Sequence, residues 1–224
     1  MLEKSMTEAK WLQATDPKPM LHFLSGVGSE RKLRLHLHAC LSRTPERREY
    51  DVQVLAVGER LAEGQASEED RQRVLPLVTD YHTHQYPSVA AIVSPLTVSW
   101  LLWGAEAAAR DVASSLVPII DPRTWNEAEW RAHINDELGT QCGLLRDIFG
   151  NPLRLAGVDL RWRTETVVAL ATGIYEERAF DRMPILADAL EDAGCDHADI
   201  LTHCRGDGPH VRGCWVVDLL LGKS

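Results

Sequence analysis

The chain has 224 residues, 45% hydrophobic and 25% charged, a globular balance with enough apolar material for one sizeable core or two smaller ones. A formal net charge of −9 argues against a general affinity for nucleic acid or anionic membrane, and the longest apolar stretch, Val89–Trp103, is broken by Ser, Pro and Thr and is short for a membrane span. Met1–Lys10 mixes Glu and Lys without an apolar core, so no secretory signal is expected, and five cysteines, an odd number, then point to free thiols in a reducing cytoplasm.

The N-terminal third reads as helices. Thr7, or Ser5 before it, is placed to cap a short helix through Trp11 and Leu12, which the Asp16-Pro17-Lys18-Pro19 segment ends. Met20–Leu24 forms a second short helix, stopped by Gly26 and Gly28. Ser29 caps a third over Glu30–Ser42, with Leu33, Leu37, Cys40 and Leu41 on one face. Glu49–Glu63 follows with Gly64 as its stop, and Ser67-Glu68-Glu69-Asp70 is an acidic helix start suited to the positive end of the dipole. Arg31, Lys32, Arg34, Arg43, Arg47 and Arg48 make a basic patch around the third helix, read as a solvated face because no aromatics interleave it.

The middle has weaker periodicity. Tyr81–Pro87 is a polar, aromatic loop carrying His82 and His84. Ser88–Val117 is rich in Ala, Val and Leu and fits buried helices, with strands through Val89–Val93 and Thr97–Leu101 as the competing reading. Thr124 or Asn126 starts a further helix through Trp130, Ile134 and Leu138. A second unit begins near Gln141, dividing the chain into an N-terminal helical region, 1–140, and a C-terminal helical module, 141–224. In that module Leu144, Leu145, Ile148 and Phe149 form a short amphipathic helix stopped by Gly150-Asn151-Pro152. Helices follow over Thr166–Glu177, Met183–Ala193 and Asp196–Cys204, and a last one runs from Pro209 to Leu221 with Gly222 past its end. The fold class is therefore mostly α: a multi-helix, bundle-like domain with a compact C-terminal helical subdomain.

The last thirty residues concentrate the chemistry. Cys195, His197, His203, Cys204, His210 and Cys214 fall in one stretch. On a helix starting at Pro209, His210 and Cys214 are four apart and share a face. With His203 and Cys204 one turn away, the pattern H-C-x5-H-x3-C supplies two imidazoles and two thiolates for a tetrahedral zinc. Against this stands simple packing, since Cys204 and Cys214 neighbour Ile200, Leu201, Val211 and Trp215, and free Cys is commonly a small buried hydrophobe. Asp218 interrupts an apolar helix and needs a partner. A Cys–His hydrolase using Cys204 or Cys214 with Asp218 as orienter lacks a surrounding signature. His36 and Cys40 share the i,i+4 spacing but sit among apolar neighbours and read as core.

The stretches LLRDIFGNP (Leu144–Pro152), IYEERAFDRMPILADALEDAGCDHADILTHCR and GPHVRGCWVVDLLLGK together resemble the C-terminal module of an uncharacterised family of paralogous proteins from planctomycete bacteria. WLQATDPKPMLHFLSG and SERKLRLHLHAC resemble the opening of the same family, and MPILADALEDAG is similar to the helix of a short planctomycete companion domain. The resemblance implies an intracellular, helical, recurring protein and carries no activity to any residue.

Two functions follow as expectations. The first is a non-enzymatic helical interaction or scaffold module of the bacterial cytoplasm, with a protein partner and neither nucleic acid nor membrane, needing no cofactor. The second is a small zinc-binding or thiol-dependent protein using His203, Cys204, His210 and Cys214.

Overall fold

The computed structural model describes residues 6–44, 49–79, 91–93, 98–116, 126–154 and 156–223. Regular structure among them is helical throughout, so the protein is mostly α. No helix among the described residues is long and apolar enough to cross a membrane. The chain divides into two compact units, Met1–Cys142 and Gly143–Ser224.

The first unit opens with α1 (Glu8–Gln13), whose N-cap Thr7 accepts from the Lys10 N–H, and α2 (Pro17–Leu24), capped by Asp16. The two prolines that end α1 belong to the first turn of α2, where a missing N–H has no helical partner to lose. Then come α3 (Glu30–Leu41), capped by Ser29, α4 (Glu49–Ala62), α5 (Glu68–Thr79) and α6 (Val98–Leu116). Ser67 and Asp70 close α5 reciprocally: the Ser67 hydroxyl accepts the Asp70 N–H, and the Asp70 carboxylate accepts the Ser67 N–H. Helix α3 packs against α4 and α6, and Leu33, Leu37 and Cys40 of α3 and Leu101, Ala105 and Ala108 of α6 are fully buried.

The strand reading of the middle is not what forms. Residues 91–93 and 98–116 are helical, because their buried positions pack as helix faces and the β-branched residues are too few to override that. The Tyr81–Pro87 loop, with His82 and His84, lies outside the described residues, as do Arg47 and Arg48. The basic patch also dissolves. Arg34 is buried and donates to Glu30 and to the Ile92 carbonyl, Arg31 meets Glu63 at 3.1 Å, and Arg43 forks onto Glu137 at 2.8 and 3.0 Å.

Helix α7 (Glu127–Phe149) begins in the first unit and ends in the second. The sequence suggests two helices here; one forms, because Gly139 and Gly143 interrupt the hydrophobic pattern without interrupting the backbone. The second unit continues with a 3₁₀ turn at Leu160–Trp162, α8 (Glu165–Glu177), a 3₁₀ turn at Phe180–Arg182, α9 (Met183–Asp192), α10 (Ala198–Arg205) and α11 (Trp215–Leu221). Helix α8 packs on α9 and α11, and α9 on α10. Val167, Ala171, Ile174, Met183, Leu186, Leu190, Ile200, Val216, Val217 and Leu220 fill the core between them.

The largest departure is at the end. The helix placed over Pro209–Leu221 starts only at Trp215, so two helices joined by a four-residue turn give way to a nine-residue strap, 206–214. Pro209 fits a helix start in isolation. The strap is instead tied to α7 by hydrogen bonds, and Gly213 takes a φ of 95°, which a helix cannot use. Gly222, at φ 69°, does close α11 in the left-handed conformation.

Candidate metal centre

Four residues of the second unit offer ligand atoms within 4.8 Å of one another: Asp147, His203, His210 and Cys214. They arrive from three segments. Asp147 stands in the last turn of α7, His203 in the last turn of α10, and His210 and Cys214 on the strap, with Cys214 as the N-cap of α11. The helical i,i+4 geometry that first paired His210 with Cys214 is absent; the fold of the strap brings them together instead.

The atoms point at one place. One Asp147 oxygen, Oδ1, lies 2.8 Å from His210 Nδ1 and 3.1 Å from His203 Nε2. The same His203 Nε2 lies 3.2 Å from Cys214 Sγ. The other Asp147 oxygen, Oδ2, accepts the Val211 N–H at 2.9 Å, which fixes the carboxylate and leaves Oδ1 facing the centre. The His203 and His210 rings meet edge to face at 4.8 Å. A tetrahedral zinc with bonds of about 2.0–2.3 Å separates its ligand atoms by about 3.3–3.7 Å, so these three gaps would open by a few tenths of an ångström while the widest in the group, up to 4.8 Å, would close by about 1 Å.

Burial and mutual hydrogen bonding together set the charges of the cluster. The Asp147 side chain is 2% exposed and Cys214 is fully buried. Burial opposes the charge on Asp147, yet hydrogen bonds from His203 and His210 outweigh it and hold the carboxyl below its usual range. Burial likewise pulls His210 down, but the Asp147 carboxylate more than reverses this and its pKa rises; the Gly206 backbone also favours the charged ring without closing a hydrogen bond of normal geometry. Nε2 of His210 is buried and has no hydrogen-bond partner. For Cys214, burial first and the Asp147 charge second push the thiol well above its ordinary pKa.

A nucleophilic triad does not fit this geometry. In such a triad the base contacts its nucleophile and its orienter through different ring nitrogens. Here His203 turns the same Nε2 to both Cys214 and Asp147. A fully buried cysteine with a raised pKa is also a poor nucleophile. Asp218, the proposed orienter, is buried on α11 and is not among the four.

Three of the four candidate ligands read from the sequence, His203, His210 and Cys214, come together with Asp147, and Cys204 does not join them. Cys204 is fully buried in the apolar core with Ile200 and Cys195, and burial pushes its thiol up to about 12. The adjacency of His203 and Cys204 explains this, because neighbouring helical side chains diverge and only one can face the strap. Asp147 was legible in principle. Leu144, Asp147 and Ile148 stand at i, i+3 and i+4, which puts a carboxylate on the buried face of an amphipathic helix. Against known proteins the chain stands alone: no protein-family model, curated protein or solved structure matches it.

Proposed function

We propose that the second unit is a zinc-binding helical module whose ion ties the end of α7, the end of α10 and the 206–214 strap together, without catalysing a reaction. The observation that carries this is the convergence of one carboxylate oxygen, two imidazole nitrogens and one thiol sulfur from three segments. Nitrogen and sulfur donors disfavour magnesium and calcium, and a four-coordinate mixed set suits zinc. Four protein ligands leave no position for water or substrate, which distinguishes a structural site from a catalytic one. The five free cysteines support a reducing compartment, the bacterial cytoplasm, as its setting. A structural ion leaves the rest of the chain to an interaction or scaffold role toward a protein partner, in keeping with the planctomycete family its motifs resemble. The net charge of −9 supports such a partner over nucleic acid.

Elemental analysis of protein purified without a polyhistidine tag tests the reading. Stoichiometric zinc is expected in the wild type and in Cys204→Ser, with loss in Cys214→Ser and Asp147→Asn. Zinc-free wild-type protein that also takes up none on titration overturns it.

A further inference from the structure

We infer that Trp215 is the positioning residue of this centre: its indole holds the three ligand-bearing segments against one another and so sets metal affinity and coordination number. The inference rests on the zinc reading above. Trp215 directly follows the ligand Cys214 and opens α11, so the first segment is fixed by covalent connection. Its ring centroid lies 5.3 Å from that of His203, tilted by 54°, while His210 packs on His203 edge to face. The His203 imidazole is thus held between an indole and a second imidazole.

The third segment is reached through Gly150. This residue ends α7 three positions after Asp147, in the left-handed region at φ 63°. A Cβ placed there would stand 3.0 Å from Cγ and 3.1 Å from Cδ2 of Trp215. The indole therefore rests on backbone that only glycine leaves open, close to the carboxylate ligand. One aromatic side chain touches the α7 end and the α10 ligand and is bonded to the strap ligand.

His203 is the most exposed of the four, at 17% against 9% for His210 and 2% for Asp147, with Cys214 fully buried. Its ring has two rotatable bonds and an outlet to solvent. The indole closes the alternative rotamers, so the four ligands are preorganised before an ion arrives. Without the indole, His203 swings out and water takes its place on the metal.

The test uses the full-length chain, with zinc affinity measured by chelator competition and coordination read from the visible d–d bands of bound cobalt(II). Trp215→Ala is expected to weaken zinc by about 10–100-fold, the usual cost of losing an outer-shell support. Its cobalt spectrum should lose the intensity of a four-coordinate site. Trp215→Phe, which keeps a flat ring, should restore both. Leu186→Ala empties the same core away from the ligands and should lower the melting temperature while leaving affinity and spectrum unchanged. If Trp215→Ala does not fold, Trp215→Leu, bulky but not flat, carries the same expectation. Wild-type affinity and spectrum in the Ala or Leu variant, or equal losses in Leu186→Ala, overturn the inference and leave the zinc reading standing. A wild type that binds neither zinc nor cobalt overturns both.

Discussion

His36 carries no charge in the folded protein at neutral pH. It is fully buried on α3, 3.5 Å from Cys40 Sγ through Nε2, and burial lowers its pKa from 6.5 to about 3. In the unfolded chain it titrates normally, so between pH 6.5 and about 3 the unfolded state binds a proton that the folded state refuses. The stability tied to a neutral His36 is complete above pH 6.5 and is lost as pH falls toward the folded value. At about 1.4 kcal/mol per pH unit, the loss reaches roughly 2–3 kcal/mol by pH 4.5. His36→Leu removes the titration, and its melting temperature should fall less between pH 7 and pH 4.5 than that of the wild type. Parallel pH profiles for the two proteins would show that His36 is protonated or solvated in the fold. A second expectation concerns Glu137, 3% exposed, which takes four hydrogen bonds from Arg43 and Gln141 at 2.8–3.1 Å. Glu137→Ala should destabilise by about 1–3 kcal/mol, less than a fully buried pair because Arg43 is 38% exposed, and urea denaturation measures it. A midpoint unchanged from wild type would mean that the pair contributes nothing net.

Helix α7 shows how an element can be read in pieces and form whole. Gly139 and Gly143 both lie inside it, and a glycine costs a helix interior about 1 kcal/mol relative to alanine. Their surroundings differ. A Cβ at Gly139 meets nothing within 4 Å, whereas one at Gly143 stands 3.3 Å from Pro209 Cγ. Gly139→Ala should therefore stabilise by about 0.5–1 kcal/mol, and Gly143→Ala should gain less or lose stability because Pro209 belongs to the strap that carries His210. Equal gains at both positions would show that Pro209 gives way freely. The same contrast explains what the sequence discloses. Helix starts with local chemistry were readable: Thr7 and Ser29 cap as side-chain acceptors, and Gly194 and Gly222 stop their helices with positive φ. Of the site, His203, His210 and Cys214 were readable as residue types. Asp147 was readable only as a carboxylate on an apolar helix face; its pairing with them was not, because it precedes His203 by 56 positions and the strap's path depends on hydrogen bonds to that one carboxylate. Pro209 and the apolar run after it make an adequate helix signal, and a tertiary contact overrode it.

For the whole chain, the two units differ in what should hold them. The first has no member of the ligand quartet, and its described core around α3 and α6 is mainly apolar, with Arg34 and His36 buried among the leucines and alanines. The second gathers a buried carboxylate, a buried thiol and two half-buried imidazoles beside a small core of short helices, and α11 has only seven residues. Short helices are marginal alone and take their stability from packing, so on the proposed zinc reading an ion tying three segments would contribute a large share of what keeps this unit folded. Binding to the folded state alone adds about 2.7 kcal/mol when free zinc is a hundred times its dissociation constant. Chelation should therefore act on one unit. Hydrogen exchange followed by mass spectrometry should show faster exchange in α8, α9, α10 and α11 after zinc is stripped, with protection of α3 and α6 little changed. Restoring zinc should recover the protection, and Cys214→Ser should exchange like the stripped protein with or without added metal. Uniform loosening across both units would assign the effect to a general consequence of the chelator. No change in either would remove the ion from the stability of the fold, and with it the reason for a carboxylate at position 147 to be buried among two histidines and a cysteine.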